Sequence, residues 1–208
     1  NDFHIGEDCD VTIIAGCGIH NSGDAASEHD GIHTFFVGKN AKLRYVEKHY
    51  GSGDGKGERI LNPQTIVHME EGSYMEMEAV QIKGVDSTVR ETRADLAAGA
   101  TLVVKEKIMT HGVQHAETKF YVDLNGEDSS TNVVSRSVAK EDSTQVFYSQ
   151  INGNNKCAGH TECDAIIMDR ATVKAIPALE ANNLEASLIH EAEHDKDRSG
   201  ILYCYDLA

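Results

Sequence analysis

Apolar residues in this chain fall in short runs, and a two-residue signal precedes several of them. At five places a Gly, Asn, Asp or Arg is followed by a small residue, namely Ala41, Ser73, Ala100, Ser143 and Ala171. The steps between these small residues are 32, 27, 43 and 28, which match two, two, three and two turns of a coil about 14 residues long. Since each coil of a parallel β-solenoid stacks on the coil before it, the spacing predicts a solenoid with a continuous core.

The residue types favour strands over helices along most of the chain. Val, Ile and Thr are frequent, and there are two prolines to interrupt strands. A β-sandwich with turns every 8–12 residues is the alternative. Hairpin turns of the Asn-Gly or Asp-Gly type between alternating runs are missing, which favours the solenoid. The apolar run at 10–15 begins abruptly, so we expect a piece of a longer protein or an open end used for assembly.

Composition limits the partners and the compartment. The chain has 208 residues, 19 Lys and Arg against 34 Asp and Glu, and a net charge of −15. This charge disfavours binding to nucleic acid or to anionic membranes. The sequence has no apolar run of about 20 residues and no signal-peptide pattern. Five cysteines, an odd number, favour a reducing compartment, so we expect one soluble domain in the cytoplasm.

The segment His190-Glu191-Ala192-Glu193-His194 satisfies the His-Glu-x-x-His pattern. On a helix, His190 and His194 would bind zinc and Glu191 would act as general base, which predicts a zinc-dependent hydrolase. The preceding residues 184–190 alternate with period two, which instead favours a strand. A β-helical interaction protein without a metal is a third interpretation.

Thiols near this segment suggest a different chemistry. Cys157 and Cys163 are separated by five residues, which is neither a zinc-ribbon nor a ferredoxin spacing. Glu191 follows Cys163 by two of the short periods, so in a solenoid the two would lie on the same side of the stack, two coils apart. With His190 they would supply a thiolate, a carboxylate and an imidazole, a set able to hold iron and sulfide. The alternative is that Cys163 is a small buried residue.

A resemblance to a known family is carried by six segments, at 33–38, 44–50, 90–96, 128–131, 160–164 and 189–192. These segments resemble the SufB/SufD family of iron–sulfur cluster assembly proteins. The similarity runs from about Asp2 to Glu191 and is closest to short SufB-like members.

This resemblance implies a right-handed parallel β-helix that dimerises through its C-terminal coils and acts as a scaffold, not as an enzyme. The dimer would be a homodimer or a SufB/SufD-type heterodimer. The implied partners are an ABC-type ATPase like SufC and a cysteine desulfurase as sulfur donor. Cys163, Glu191 and His190 match the family's functional residues, so they are the expected ligands of a transient iron–sulfur cluster, with Cys157 as an auxiliary thiol.

Two positions depart from the family. SufB proteins have a second cysteine inside the β-helix, and His49 occupies the matching position here. Residues 193–208 do not resemble the helical segment that binds SufC. We therefore divide the chain into a β-helix core at 1–192 and a divergent tail at 193–208, with a short irregular or helical structure expected for the tail.

Overall fold

The computed structural model describes residues 1–196 and 201–204, with side chains through residue 191. These residues form strands joined by short turns, with no helix among them. The strands are β1 (Asp2–Ile5), β2 (Asp10–His20), β3 (Ser27–Val37), β4 (Lys42–Ser52), β5 (Arg59–Met69), β6 (Tyr74–Lys83), β7 (Ser87–Leu96), β8 (Thr101–Thr110), β9 (His115–Leu124), β10 (Ser129–Ala139), β11 (Thr144–Gly153), β12 (Cys157–Ile167), β13 (Thr172–Ala181), β14 (Ala186–Lys196) and β15 (Ile201–Cys204).

The strands alternate between two parallel sheets. The odd-numbered strands stack in order from β1 to β15, and the even-numbered strands stack in order from β2 to β14. The chain therefore winds as a parallel β-helix, as predicted. The β-sandwich alternative is wrong, because every strand pairing among the described residues is parallel.

One coil is twice as long as the sequence spacing suggested. Lys42 pairs with Tyr74 in the next coil, and Tyr74 pairs with Thr101 in the coil after that. The short unit predicted from the sequence is therefore one strand with its corner, or half a coil, because each coil contributes a strand to both sheets. The step from Ala100 to Ser143 spans one and a half coils and changes sheet, since β8 lies in the even sheet and β11 in the odd sheet.

The corners that lead into the even sheet account for three of the five sequence signals, those that end at Ala41, Ser73 and Ala100. Five corner residues with positive φ stack above one another, namely Asp8, Asn40, Gly72, Gly99 and Asp128. Gly, Asn and Asp are the residues that tolerate this left-handed conformation best. Each corner is bonded to the next coil: the amide of Asn40 donates to the carbonyl of Glu71, and the amide of Gly72 donates to that of Ala98. The small residues that follow Asn40, Gly72 and Gly99 are fully buried.

The core lies between the two sheets. Alternate residues of each strand point inward, so β8 alternates between buried and more exposed positions along its length. Stacked inward positions, among them Phe35, Leu43, Met75, Leu102 and Val122, form a continuous apolar core. The outward positions carry charge ladders such as Lys105 with Glu76 and Lys107 with Glu78.

The last coil lies across the expected domain boundary. Strand β14 passes through residue 192 and continues to Lys196, and β15 pairs with β13. The remainder of the predicted tail, 197–200 and 205–208, falls outside the described residues. Within the described part of the chain, no helix is long and apolar enough to cross a membrane.

Candidate functional site

Cys163 lies inside the β-helix, near its C-terminal end. It is an inward-facing residue of β12 and is 1% exposed. Directly across the sheet from it is Ser135 on β10, and across from Ser135 is Glu106 on β8. The thiol therefore ends a row of interior polar side chains.

Arg90 crosses the interior from the odd sheet to reach that row. Its Nη1 donates to Glu106 Oε1 at 3.1 Å, and its Nη2 donates to His49 Nδ1 at 2.5 Å. Glu106 Oε2 also accepts from Ser135 Oγ at 2.7 Å and from Thr118 Oγ1 at 3.2 Å. Burial raises the pKa of Glu106, and these donors oppose that effect. A protein tolerates a buried carboxylate when several hydrogen-bond donors surround it, as they do here.

His49 on β4 extends the row towards the N-terminal coils. Its Nε2 lies 3.2 Å from Glu47 Oε1, and both side chains are almost fully buried. Burial lowers the pKa of His49, so the imidazole is neutral and accepts from Arg90 through Nδ1. Burial acts to raise the pKa of Glu47, but contacts with His49 and Arg90 outweigh it and lower that pKa. His49 thus contacts the acidic Glu47 and the basic Arg90 inside the β-helix.

A cavity of about 10 Å³ separates Cys163 from this network. Its polar lining includes Glu106, Thr118 and Ser135, and Cys163 and apolar side chains form much of the remaining wall. A space of this size holds roughly one water molecule. An iron–sulfur cluster does not fit there unless the neighbouring strands move apart.

The other predicted ligands lie one coil away on β14. His190 pairs with Thr161, an inward-facing residue, so His190 is on the same interior face as Cys163. Glu191 pairs with Glu162 and points outward, with its side chain 64% exposed. Successive residues of a strand point to opposite faces. Within one chain the structure therefore brings Cys163 and His190 to one face and Glu191 to the other.

Cys157 faces the same interior but is distant from Cys163. The two cysteines lie six residues apart on β12, which corresponds to about 20 Å along a strand. Burial raises the pKa of the Cys157 thiol. In a single chain these two thiols cannot bind the same ion.

The zinc-hydrolase interpretation is wrong because its motif lies on a strand. Residues 190–194 are part of β14. On a strand, positions four apart are separated by about 13 Å, whereas on a helix they lie on adjacent turns. The geometry that would let His190 and His194 share a zinc ion does not form.

The outer face of the same strands holds a group that sequence reasoning missed. His160, Glu162 and Glu191 present ligand atoms that all lie within 4.8 Å of one another. A signal for it was present in the sequence. His160 and Glu162 are two residues apart, which on a strand means one face, and Glu191 occupies the position of Glu162 one coil later.

Fold and site together define a class of protein. The molecule is a parallel β-helix with a buried thiol next to a charged interior and with imidazole and carboxylate groups on its outer face. The chain belongs to the SufBD family: the sequence model described as "SUF system FeS cluster assembly, SufBD core domain" matches residues 3–197. The description of that model associates the family with iron–sulfur cluster assembly.

Relatives from archaea support the same assignment. The chain is 29% identical to an iron–sulfur cluster assembly SufBD family protein from Archaeoglobus fulgidus, over 95% of this chain and 52% of that protein. It is 26% identical to a SufBD family protein from Methanocaldococcus jannaschii, over 89% of this chain and 58% of that protein. The chain therefore spans about half the length of the relatives it matches.

Proposed function

We propose that this protein is a scaffold on which a nascent iron–sulfur cluster is assembled, and that Cys163 is the thiolate that holds it. The observation that carries the proposal is the position of Cys163, a buried thiol at the end of the interior polar row, on the strand next to the last even strand. Thiolate is the ligand that iron–sulfur clusters require. Membership of the SufBD family supports the choice of cluster over another metal.

Assembly needs the last coil to open, because the cavity beside Cys163 is smaller than a cluster. Among the described residues, β14 is the edge strand of the even sheet and has β12 on one side only. An edge strand of this kind is a surface on which a second protein copy can pair. A dimer formed there, either a homodimer or a SufB/SufD-type heterodimer, would place Cys163 and His190 close to the protomer contact, with Glu191 on the outer side of the same strand.

The cluster is cargo in this proposal, and the protein has no turnover of its own. Cys163 would hold iron and sulfide with His190, while Cys157 would act as an auxiliary thiol one strand length away. An ABC-type ATPase like SufC would supply the energy to open the coils, and a cysteine desulfurase would supply sulfur. This assignment is consistent with a cytoplasmic protein, where thiols stay reduced.

Anaerobic reconstitution with ferrous iron and sulfide tests the role of Cys163. We expect the wild-type protein to develop the visible absorption of a cluster and Cys163→Ala to lose most of it, since the variant lacks the thiolate. Cys17→Ala is the matched control, because Cys17 lies on β2 at the opposite end of the even sheet. Circular dichroism of each variant reports whether the β-helix is intact.

Equal cluster uptake by wild type and Cys163→Ala would overturn the proposal. So would an equal loss in Cys17→Ala, since that result would indicate non-specific binding to thiols. Cys157→Ala measures the auxiliary role separately, with partial loss expected.

A further inference from the structure

Three side chains on the outer face of the even sheet converge on one point. His160 and Glu162 lie on β12 and Glu191 lies across from Glu162 on β14. The register alone creates this arrangement: residues two apart share a face, and the paired residue lies about 4.8 Å away on the next strand. One ligand atom from each residue lies within 4.8 Å of the other two. The site is separated from Cys163 by the thickness of the sheet.

His160 is held in the orientation that a metal ligand needs. Its Nδ1 lies 2.9 Å from Oδ1 of Asn132, which is paired with it on β10. Because an amide oxygen only accepts, Nδ1 carries the proton and Nε2 keeps its electron pair. That nitrogen faces Glu191. Metal-binding histidines generally have their second nitrogen fixed by an acceptor in this way.

The gap between the ligand atoms suits an ion better than a direct bond. His160 Nε2 and Glu191 Oε2 are 3.7 Å apart, which is too long for a hydrogen bond. With metal–ligand bonds of about 2.1 Å, neighbouring ligands of a tetrahedral or octahedral ion lie about 3.0–3.4 Å apart. A small side-chain rotation closes the remaining distance.

Local charge favours a cation at this point. Glu162, Asp164 and Glu191 are three carboxylates, and Arg136 is the cation that contacts the first two, with its Nη2 3.2 Å from Glu162 Oε1 and its Nε 3.2 Å from Asp164 Oδ2. Glu162 has a second oxygen to offer an ion. A divalent cation would supply the charge that one guanidinium leaves unbalanced.

We propose that His160, Glu162 and Glu191 form a binding site for a divalent first-row metal ion on the outer surface of the β-helix, with Asn132 positioning the imidazole. One imidazole and two carboxylates suit Fe²⁺, Mn²⁺ or Zn²⁺, whereas Cu⁺ prefers the thiolate that this site lacks. The solvent-exposed Glu191 leaves one side open for the ion to enter and leave. The existence of the site is independent of the proposed function. The identity of its natural ion, ferrous iron awaiting transfer, rests on the proposed function.

Manganese is the probe that separates this site from the buried thiol, because Mn²⁺ prefers oxygen and nitrogen ligands. Binding of Mn²⁺ to the whole metal-free chain is measured by loss of the free-ion electron paramagnetic resonance signal, followed by anaerobic competition with Fe²⁺. We expect wild type to bind and Fe²⁺ to displace Mn²⁺. His160→Ala, Glu162→Gln and Glu191→Gln should each weaken binding at least tenfold, and Asn132→Ala about tenfold through the freed imidazole.

The matched control is Glu76→Gln, which removes an outward-facing, ion-paired carboxylate of the same sheet far from the site. It should bind Mn²⁺ as wild type does. Absence of wild-type binding up to about 1 mM Mn²⁺ would overturn the proposal. Equal weakening in Glu76→Gln, or loss of binding in Cys163→Ser, would also overturn it, by indicating diffuse charge or the thiol as the binder.

The two proposals fail in different ways. If the wild-type protein bound Mn²⁺ normally but formed no cluster, only the scaffold assignment would be contradicted. Normal cluster uptake by wild type without any Mn²⁺ binding would contradict only the outer site.

Discussion

Arg90 determines the electrostatics of the interior. It is 1% exposed and connects His49 on β4 with Glu106 on β8, so one guanidinium links groups from three strands. A lone buried charge is far more costly than a paired one. Its contribution is invisible in the sequence, where Arg90 follows the strand residues Ser87, Thr88 and Val89 in a chain full of charged surface positions.

Replacing Arg90 tests this role. We expect Arg90→Met to lower the free energy of unfolding by about 3–5 kcal/mol, because Glu106 would stay buried without a countercharge. The double variant Arg90→Met with Glu106→Gln should recover a substantial part of that loss. Urea denaturation measures both. A loss below about 1 kcal/mol in the single variant, or no recovery in the double, would contradict the assignment.

Strand register determines the neighbours of Glu191. The sequence predicted that Glu191 is a ligand together with Cys163. In the structure its neighbours are His160 and Glu162 on the outer face. A single-residue step along a strand reverses the face of a side chain. The pairing of Glu191 with Glu162, and not with the adjacent Cys163, therefore decides its partners.

The corner and its strand form the repeating element. Several corners were recognisable from the sequence by a Gly or Asn before a small residue, and Asn40, Gly72 and Gly99 at these corners have a positive φ. Whether such an element occurs once or twice per coil was not recognisable, because the two corner types carry similar residues. Sheet pairing settles it, since alternate strands go to different sheets.

A substitution at one corner measures the cost of its backbone conformation. Gly99 has a φ of 65°, and a Cβ there would meet Gly72 Cα at an ordinary 3.8 Å. We therefore expect Gly99→Ala to cost about 1–2 kcal/mol of stability from the backbone alone. Asn40→Gly, at the equivalent corner two coils earlier, should change stability by less than about 0.5 kcal/mol. Thermal or chemical unfolding distinguishes these outcomes, and an equal effect of the two changes would refute the explanation.

At the scale of the whole molecule, the β-helix is a one-dimensional stack. Each coil contacts the coils before and after it, so the middle coils have two neighbours and the end coils one. Cys163 lies next to the C-terminal end of the described stack, where opening requires the fewest contacts to break. The location of the thiol and the ease of opening are therefore linked.

Hydrogen exchange should reveal that the end coils open more easily than the middle coils. We expect amides of β6 to β11 to exchange slowest and those of β1, β2 and β14 fastest, because end coils open without disrupting the middle. Mass spectrometry of peptides from each coil measures the order. Uniform protection along the chain would show that the β-helix unfolds as a single unit and that the last coil does not open separately.

The sequence by itself determined the class of fold, the corners, the family and the choice of Cys163 as a candidate, because these depend on local residue preferences and on motifs read in order. It did not determine the coil length, the interior row from Glu47 to Cys163, or the outer group of His160, Glu162 and Glu191. Those depend on register between strands one coil apart, and register fixes which side chains share a face. Only the tertiary structure, by stacking the coils, decided that Cys163 and Glu191 lie on opposite sides of one sheet.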